Sequence, residues 1–309
     1  MSARSDLVIA ARDTIAQGSQ SFAAASRLFA RETRERAWLL YAWCRAADDL
    51  TDGQDLGHGA SAVHDPAAAQ ARLEALTALA LYSEEPVTIP FAALRQVARE
   101  TAMPARFIED HLAGFALDAE GWRPRTADDL LRYCYHVAGT VGCMMAVVMG
   151  VSPEDQDTLD RACDLGLAFQ LANIARDVVP DALTGRCYLP GEWLEAEGLS
   201  EAALSEPDAL PAIAAMAARL VEMARPYRRS ARVGAARLPG RSRLAVLAAD
   251  AIYGEIGEKV LARGTHAWDE RVRVSGGGKL WLLGRAIARS LIAPPEASRS
   301  GLWTRPRAG

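Results

Sequence analysis

Apolar residues recur along this chain at the spacing of helix faces. In RERAWLLYAWCRAA (residues 34–47) they fall mostly three and four positions apart, as on the buried side of an α-helix. Breaks rich in Gly, Pro and Asp, such as SEEPVTIP and GRCYLPGEW, separate segments of this kind. No segment alternates in the manner of a β-strand, so we predict an all-α fold. The predicted helices are Thr33–Asp52, Pro66–Tyr82, Phe91–Thr101, Ala105–Asp118, Ala127–Met149, Pro153–Asp181, Leu210–Ala236 and Arg241–Leu261.

Domain organisation follows from the same pattern. The chain has 309 residues, without an internal repeat or a low-complexity linker in its interior. We expect a single domain over residues 1–293. The polar segment that follows, residues 294–309, is expected to be a disordered tail.

Composition and charge narrow the function classes. Aromatic residues are only 6% of the chain and β-branched runs are scarce, which favours helix over sheet. A net charge of -4 lacks the basic character of a nucleic-acid binder, so we expect no nucleic-acid partner. The 5 cysteines show no CxxC spacing, which argues against a disulfide framework or a zinc site and favours a reducing cytoplasm.

Membrane insertion is not expected. The N-terminal residues lack the apolar core of a signal peptide. The longest apolar run, VGCMMAVVMGV (residues 141–151), is well short of the roughly 20 residues that span a bilayer.

The first candidate for chemistry is DDLTD at the end of the first predicted helix. Asp48 and Asp52 are four residues apart and share a helix face, with Asp49 beside them. Carboxylates are disfavoured at a helix C-terminus, where the macrodipole is already negative. Either this is a solvated acidic helix end, or a divalent cation compensates the charge.

The second candidate is the helical segment FQLANIARDVVPD (residues 169–181). Gln170, Asn173, Asp177 and Asp181 follow one another at spacings of three, four and four, which places two amides and two carboxylates in one polar stripe. Such oxygens are ligands that Mg²⁺ accepts, together with water and substrate phosphates. Pro180 is expected to end or kink this helix just before Asp181.

Two Asp-x-x-x-Asp pairs on separate helices suggest facing carboxylates with metal between them, and a diphosphate is the obvious ligand of such a site. Arg45 precedes Asp49 by one turn and Arg176 adjoins Asp177. Each guanidinium has the fork geometry that suits phosphate oxygens. An ordinary ion pair within the helix remains the alternative for each arginine.

At these residues the sequence resembles the squalene/phytoene synthase family, the head-to-head trans-isoprenyl diphosphate synthases. Within the family, YCYHVAGTVG and GRCYLP are most similar to bacterial phytoene synthases. The blocks run in the family's order over nearly the whole chain. They are SQSF (Ser19–Phe22), YAWCRAADDLTD (Tyr41–Asp52), YCYHVAGTVG (Tyr133–Gly142), QLANIARDVVPDALTGRCYLP (Gln170–Pro190) and AIYGEIGEKV (Ala251–Val260).

The resemblance implies an isoprenoid synthase fold, with helices around a central apolar cavity and the two aspartate motifs facing each other. It implies three groups of site residues. The expected Mg²⁺ ligands are Asp48, Asp52, Asn173, Asp177 and Asp181, with Mn²⁺ as a substitute metal. The residues expected to contact diphosphate or line the cleft are Ser19, Ser21, Tyr41, Arg45, Gln170 and Arg176, with Arg271 and Lys279 as further phosphate contacts. The aromatic residues expected beside the reacting carbons are Phe22, Tyr133 and Tyr253.

The implied reaction joins two prenyl diphosphates through a cyclopropylcarbinyl diphosphate. With two geranylgeranyl diphosphates the product is phytoene, the start of carotenoid synthesis, and no NADPH is expected. The same motifs serve fifteen-carbon donors in dehydrosqualene and squalene synthases, so donor length stays open. A non-catalytic helical assembly factor of the same fold is a weaker alternative. A head-to-tail prenyltransferase is disfavoured because DDLTD runs into GQDLGHGA without paired arginines, and His64–Asp65 lacks the partners of an HD-type metallohydrolase.

Three further segments allow two interpretations each. VAGTVG suits close backbone approach, either to a prenyl chain or to a neighbouring helix. His136 is expected to pack rather than to act in catalysis. Lys279–Ile292 combines apolar residues with Lys279, Arg285 and Arg289, so it either rests on an anionic membrane surface, at the inner face of the membrane, or packs as a terminal helix. With a hydrocarbon product, we also expect handover to downstream carotenoid enzymes.

Overall fold

The computed structural model describes residues 3–52 and 65–307, apart from the side chains of Gln20, Ser21 and Asp52. Its described residues form helices and no strand, as the hydrophobic pattern predicts. The helices are α1 (Arg4–Gly18), α2 (Gln20–Ser26), α3 (Arg31–Asp52), α4 (Pro66–Tyr82), α5 (Ile89–Thr101), α6 (Ala105–Ala119), α7 (Ala127–Cys134), α8 (Thr140–Val148), α9 (Gln156–Leu183), α10 (Gly191–Ala196), α11 (Leu210–Ala235), α12 (Gly240–Arg263) and α13 (Gly276–Ser290).

Two features differ from the predicted helices. A π-helical turn, Tyr135–Gly139, divides the predicted helix Ala127–Met149 into α7 and α8. Pro180 was expected to end or kink its helix, but α9 continues through it to Leu183. Proline removes one N–H donor and crowds the preceding turn. Near the end of a 28-residue helix these losses affect only the last turn.

Backbone contacts divide the chain into two compact units. The first unit comprises residues 1–120 and 144–156, and the second comprises 121–143 and 157–309. The single domain over residues 1–293 therefore stays a prediction.

Helix α3 is the centre of the first unit. It packs against α1, α4 and α5. Trp43 on α3 is fully buried, and its indole N–H donates to the Thr77 hydroxyl over 3.4 Å. Its ring lies 5.6 Å from that of His111. Burying a large aromatic side chain with its polar atom satisfied fixes the position of α3, which ends at Asp52.

Helix α9 is the long helix of the second unit, and small residues bring it close to its neighbour. A Cβ added to Gly142 would lie 2.3 Å from the carbonyl oxygen of Ala162 on α9. One added to Gly166 would lie 2.2 Å from the carbonyl oxygen of Ala138. Both distances are shorter than any real contact of this type, so the glycines are required by backbone packing. Close helix packing is thus one role of VAGTVG.

The C-terminal tail differs from the disordered segment that its polarity suggested. Residues up to 307 are described, and the Arg305 side chain is 0% exposed. Arg305 and two other arginines of the tail form ion pairs with aspartates of α9. The reason is charge pairing: the carboxylates that neutralise this segment are more than 130 residues away in sequence, where local polarity gives no sign of them.

Candidate functional site

The first aspartate motif lies on the last turn and a half of α3. Arg45 places its Nε 3.0 Å from Asp49 Oδ1 and its Nη2 3.5 Å from Asp48 Oδ2. The guanidinium is mostly buried, with 14% of the side chain exposed, whereas Asp48 is 43% exposed. The ion pair that we considered as the alternative for Arg45 is therefore present. Asp49 is the more enclosed carboxylate, and the outward Asp48 is the better placed for a metal or a substrate.

Three other residues assigned by the resemblance lie in the first unit. The Ser19 hydroxyl accepts a hydrogen bond from the Phe22 amide and caps the start of α2. The Phe22 ring lies 5.5 Å from that of Tyr41, tilted by 50°. Burial raises the pKa of Tyr41, so its hydroxyl stays protonated and can donate a hydrogen bond. The side chains of Ser21 and Asp52 lie outside the described part of the chain.

The second motif centres on Asp177 of α9. Arg271 donates from Nε to Oδ1 over 3.2 Å and from Nη2 to Oδ2 over 3.0 Å. Arg176 binds the same two oxygens, with Nε 2.9 Å from Oδ1 and a shorter contact from Nη2 to Oδ2. Burial opposes ionisation, but these two arginines hold the pKa of Asp177 below its usual range. Asp177 is therefore an anion at neutral pH.

Asp181 has the opposite electrostatic surroundings. Burial, followed by the charge of Asp177 one turn earlier, raises the pKa of Asp181 to about 6. A partly buried carboxylate in a negative field is stabilised by an added cation. Asp181 is thus the member of the second motif with the clearest electrostatic demand for positive charge.

The two amides complete the polar stripe of α9. The Asn173 amide nitrogen lies 3.4 Å from the Gln170 side-chain oxygen, which is a long hydrogen bond. The predicted stripe of Gln170, Asn173, Asp177 and Asp181 is therefore present on one continuous helix of the second unit.

Two of the aromatic residues assigned by the resemblance, Tyr253 and Tyr133, lie in the second unit. Tyr253 stacks on Phe169, with ring centroids 3.9 Å apart, and burial raises its pKa. Tyr133 is buried between two further rings, those of Tyr188 at 4.9 Å and Trp122 at 5.8 Å. Sequence reasoning missed Phe169, Tyr188 and Trp122. Tyr188 stands inside the block Gln170–Pro190 and Phe169 begins the segment FQLANIARDVVPD, so their position was a usable signal. Trp122 lies in a loop without such a signal.

Two further residues, Arg271 and Lys279, were expected to contact phosphate. The structure brings Arg271 to Asp177 of the second motif. Lys279 lies in the first turn of α13, and its role as a phosphate contact stays a prediction. The facing arrangement of the two aspartate motifs and the central apolar cavity stay predictions.

The donor set is compatible with Mg²⁺. Asp181 carries a raised pKa of about 6 that a cation would relieve, and amide oxygens lie on the same helix face. In the described part of the chain, no group of three or more acidic, histidine or cysteine side chains converges to hold a metal alone. Mg²⁺ sites commonly use one or two carboxylates, with water and substrate phosphate oxygens as the remaining ligands.

These features define a helical protein with two Asp-x-x-x-Asp helices, each bearing an arginine against its carboxylates. The chain belongs to the squalene/phytoene synthase family, whose profile matches residues 15–277. It is 50% identical to a 15-cis-phytoene synthase of Paracoccus sp., over 98% of this chain and 99% of the relative. It is 47% identical to a 15-cis-phytoene synthase of Enterobacter agglomerans, over 94% of this chain and 99% of the relative.

Solved structures agree on the fold. A dehydrosqualene synthase matches with a TM-score of 0.81 and 27% identity, covering 92% of this chain and 96% of that one. A squalene synthase from Alicyclobacillus acidocaldarius matches with a TM-score of 0.74 and 22% identity, covering 84% and 94%. The chain therefore has the all-α isoprenoid synthase fold. Within the described ranges, no helix is long and apolar enough to cross a membrane.

Proposed function

We propose that this protein joins two molecules of geranylgeranyl diphosphate head to head to form phytoene, the first committed step of carotenoid biosynthesis. The observation that carries the proposal is the 50% identity, over almost the full length of both chains, to a 15-cis-phytoene synthase. The residues support it, since both motifs retain their carboxylates and their arginines. A helical assembly factor without catalytic function would not need the carboxylates and arginines of both motifs.

The arginines supply the contacts to diphosphate. Arg45, Arg176 and Arg271 all bind carboxylates in the protein alone. When a diphosphate binds, the same N–H donors can bind its oxygens. The carboxylate oxygens are then free to bind other ligands. Arg271 is best suited to this exchange because its side chain is 55% exposed.

Divalent cations, Mg²⁺ with Mn²⁺ as a substitute, would be held by Asp48 and Asp52 of the first motif and by Asn173, Asp177 and Asp181 of the second. Bound cations would neutralise the diphosphate charge and so make diphosphate a better leaving group. The raised pKa of Asp181 supports a cation at the second motif.

The aromatic residues act on the carbocations. Loss of diphosphate from one donor leaves an allylic cation, which the C2–C3 double bond of the other donor captures. Loss of one proton then closes the three-membered ring of a cyclopropylcarbinyl diphosphate. The faces of Phe22, Tyr133 and Tyr253 can stabilise such cations through their π electrons. The raised pKa of Tyr253 keeps its hydroxyl neutral and so a poor nucleophile.

The second step releases the second diphosphate. The cyclopropylcarbinyl cation rearranges to the 1-1′ linkage and then loses one proton, which forms the central double bond of the triene. The overall change is two donors to one hydrocarbon, two diphosphates and two protons, one proton from each step. No electrons enter or leave, so no NADPH is required.

The direct test supplies purified protein with MgCl₂ and either geranylgeranyl or farnesyl diphosphate, and identifies the hydrocarbon by mass. We expect a forty-carbon product from the first donor at a kcat/KM well above that for the second. Preference for farnesyl diphosphate would favour a dehydrosqualene or squalene synthase. No hydrocarbon from either donor would contradict the enzyme assignment.

We also propose that α13 contacts an anionic membrane surface. Leu280, Trp281, Leu291 and Ile292 are 60–82% exposed at this helix and its end. The Arg285 guanidinium lies 4.7 Å from the Trp281 ring centroid, so an aromatic side chain and a cation share one surface. Apolar side chains flanked by cations suit the boundary between lipid headgroups and acyl chains. Binding there, at the inner face of the membrane, would release phytoene into lipid for handover to downstream carotenoid enzymes.

Flotation with phosphatidylglycerol vesicles tests this contact. Wild-type protein should float, and Trp281→Asp should remain in the dense fraction. Ile9→Asp is the matched control, since Ile9 is 52% exposed on α1 and its replacement should leave flotation unchanged. Equal flotation of the wild type and Trp281→Asp, or equal binding to neutral phosphatidylcholine vesicles, would contradict the proposal.

A further inference from the structure

The first half of α9 carries two buried carboxylates that the proposed reaction does not use. The side chains of Asp160 and Asp164 are 2% and 0% exposed. They lie four residues apart, so both face the same side of the helix. Even with its partners in place, burial raises the pKa of Asp164 above its usual value. Such carboxylates are strongly destabilising unless positive charge is held against them.

The C-terminal tail provides that charge. Arg299 binds Asp164 with two hydrogen bonds of 2.8 Å, and its third nitrogen lies 3.2 Å from Asp160. Asp160 also pairs with Arg305 at 2.9 Å and with Arg307 at 2.6 Å. The bidentate pair of Arg299 and the fully buried guanidinium of Arg305 neutralise the aspartates and also fix the distance and orientation of the tail relative to α9.

Further contacts hold the tail near these ion pairs, at Trp303 and at Ala297. The amide of Trp303 donates to the Tyr227 hydroxyl over 3.2 Å. The Trp303 ring lies 5.6 Å from that of Tyr135, the first residue of the π-helical turn. Arg161 on α9 donates to the Ala297 carbonyl over 3.2 Å. The tail is thus attached to α9, to α11 and to the turn that follows Tyr133.

We infer that residues 297–307 act as a clamp that fixes the position of α9 and thereby of Asn173, Asp177 and Asp181 on its second half. Asp177 lies 13 residues beyond Asp164, about 20 Å along the helix at 1.5 Å per residue. Arg299 is therefore a positioning residue, which acts through the helix. The inference rests on the proposed function only in naming these side chains as diphosphate and metal ligands.

Hydrogen exchange of the full-length chain measures this coupling without substrate. Arg299→Gln removes the bidentate pair, and we expect roughly tenfold faster amide exchange over residues 165–183, as the helix opens locally. Arg225→Gln is the matched control because it breaks an exposed ion pair with Glu258 on other helices. If faster exchange in Arg299→Gln is confined to residues 157–164 and 294–307, the clamp does not reach the motif and the inference fails.

Ligand binding supplies the second readout. In calorimetry with MgCl₂ and inorganic diphosphate, Arg299→Gln should bind about tenfold more weakly than the wild type, and Arg299→Lys should be intermediate because lysine keeps the charge without the fork. Unchanged affinity in Arg299→Gln would overturn the positioning role. If Arg299→Gln does not fold, Arg307→Gln replaces it, since its side chain is 55% exposed and makes one of the ion pairs. Neither readout depends on turnover, so its outcome is independent of whether phytoene is formed.

Discussion

Arg271 donates two hydrogen bonds to the carboxylate of Asp177, 94 residues earlier in the chain. Arg176, the sequence neighbour of Asp177, binds the same carboxylate from the helix itself. Both guanidinium groups present N–H donors that can also bind phosphate oxygens. We therefore expect this pair of arginines to exchange the carboxylate for a diphosphate when one binds.

Replacement of Asp177 by Asn should abolish turnover. The amide keeps the size of the side chain but loses the charge that holds two arginines, and we expect the rate to fall by at least about a hundredfold. The helical circular dichroism should stay unchanged. A variant with near-normal kcat would show that the carboxylate is not required. Asp48→Asn should behave in the same way in the first motif.

Replacement of Arg271 by Gln should weaken substrate binding. Loss of a charge-assisted fork to phosphate should raise KM about tenfold, with a smaller change in kcat. Arg273→Gln in the same loop is the control, and its KM should match the wild type. Equal KM values for the two variants would remove Arg271 from the diphosphate site.

Replacement of Gly142 by Ala should destabilise the protein. The added methyl would meet the Ala162 carbonyl oxygen at 2.3 Å, and forcing such backbones apart costs about 1–3 kcal/mol in the free energy of unfolding. Gly284→Ala on α13 is the control, because an added Cβ there would meet no atom within 4 Å beyond the local backbone of its own helix. It should leave stability unchanged or raise it. Urea unfolding compares the two, and equal stability would contradict the close packing of α8 on α9.

Acid should remove the stabilisation that Glu100 provides to the first unit. Burial opposes ionisation of Glu100, but hydrogen bonds from Arg4, Gln96 and Arg36 lower its pKa to about 2, from an ordinary 4.5. Because the folded-state pKa is the lower one, the contribution is complete above pH 4.5 and is lost as the pH falls towards 2.

The comparison of Glu100→Gln with the wild type measures this loss. The variant should have the lower melting temperature at pH 7, and the difference should shrink between pH 4.5 and pH 2. A difference that stays constant over this range would mean that the Glu100 charge does not contribute.

Local sequence patterns predicted most of the helices and the polar stripe, because both depend on residues that are close in sequence. They did not predict contacts between residues that are distant in sequence. Helical spacing located α9, and the polar stripe from Gln170 to Asp181 lies on it as predicted. The bond from Arg271 to Asp177 could not be read from periodicity, because it joins residues that meet only after folding. The tail shows the same limit: its arginines looked solvated because their buried partners, Asp160 and Asp164, are distant in sequence.

The resemblance to a family supplied expectations that local patterns lacked, above all the proposed roles of Tyr133 and Tyr253. Stacking partners such as Trp122 depend on the packing of a loop, which no spacing rule predicts.

The most direct test of the central claim is the mass of the hydrocarbon formed from geranylgeranyl diphosphate and MgCl₂ without NADPH, with wild-type protein and with Asp177→Asn in parallel. The account predicts phytoene and two equivalents of diphosphate from the wild type, and neither from the variant. Absence of a forty-carbon hydrocarbon, or a product that forms only when NADPH is added, would contradict it.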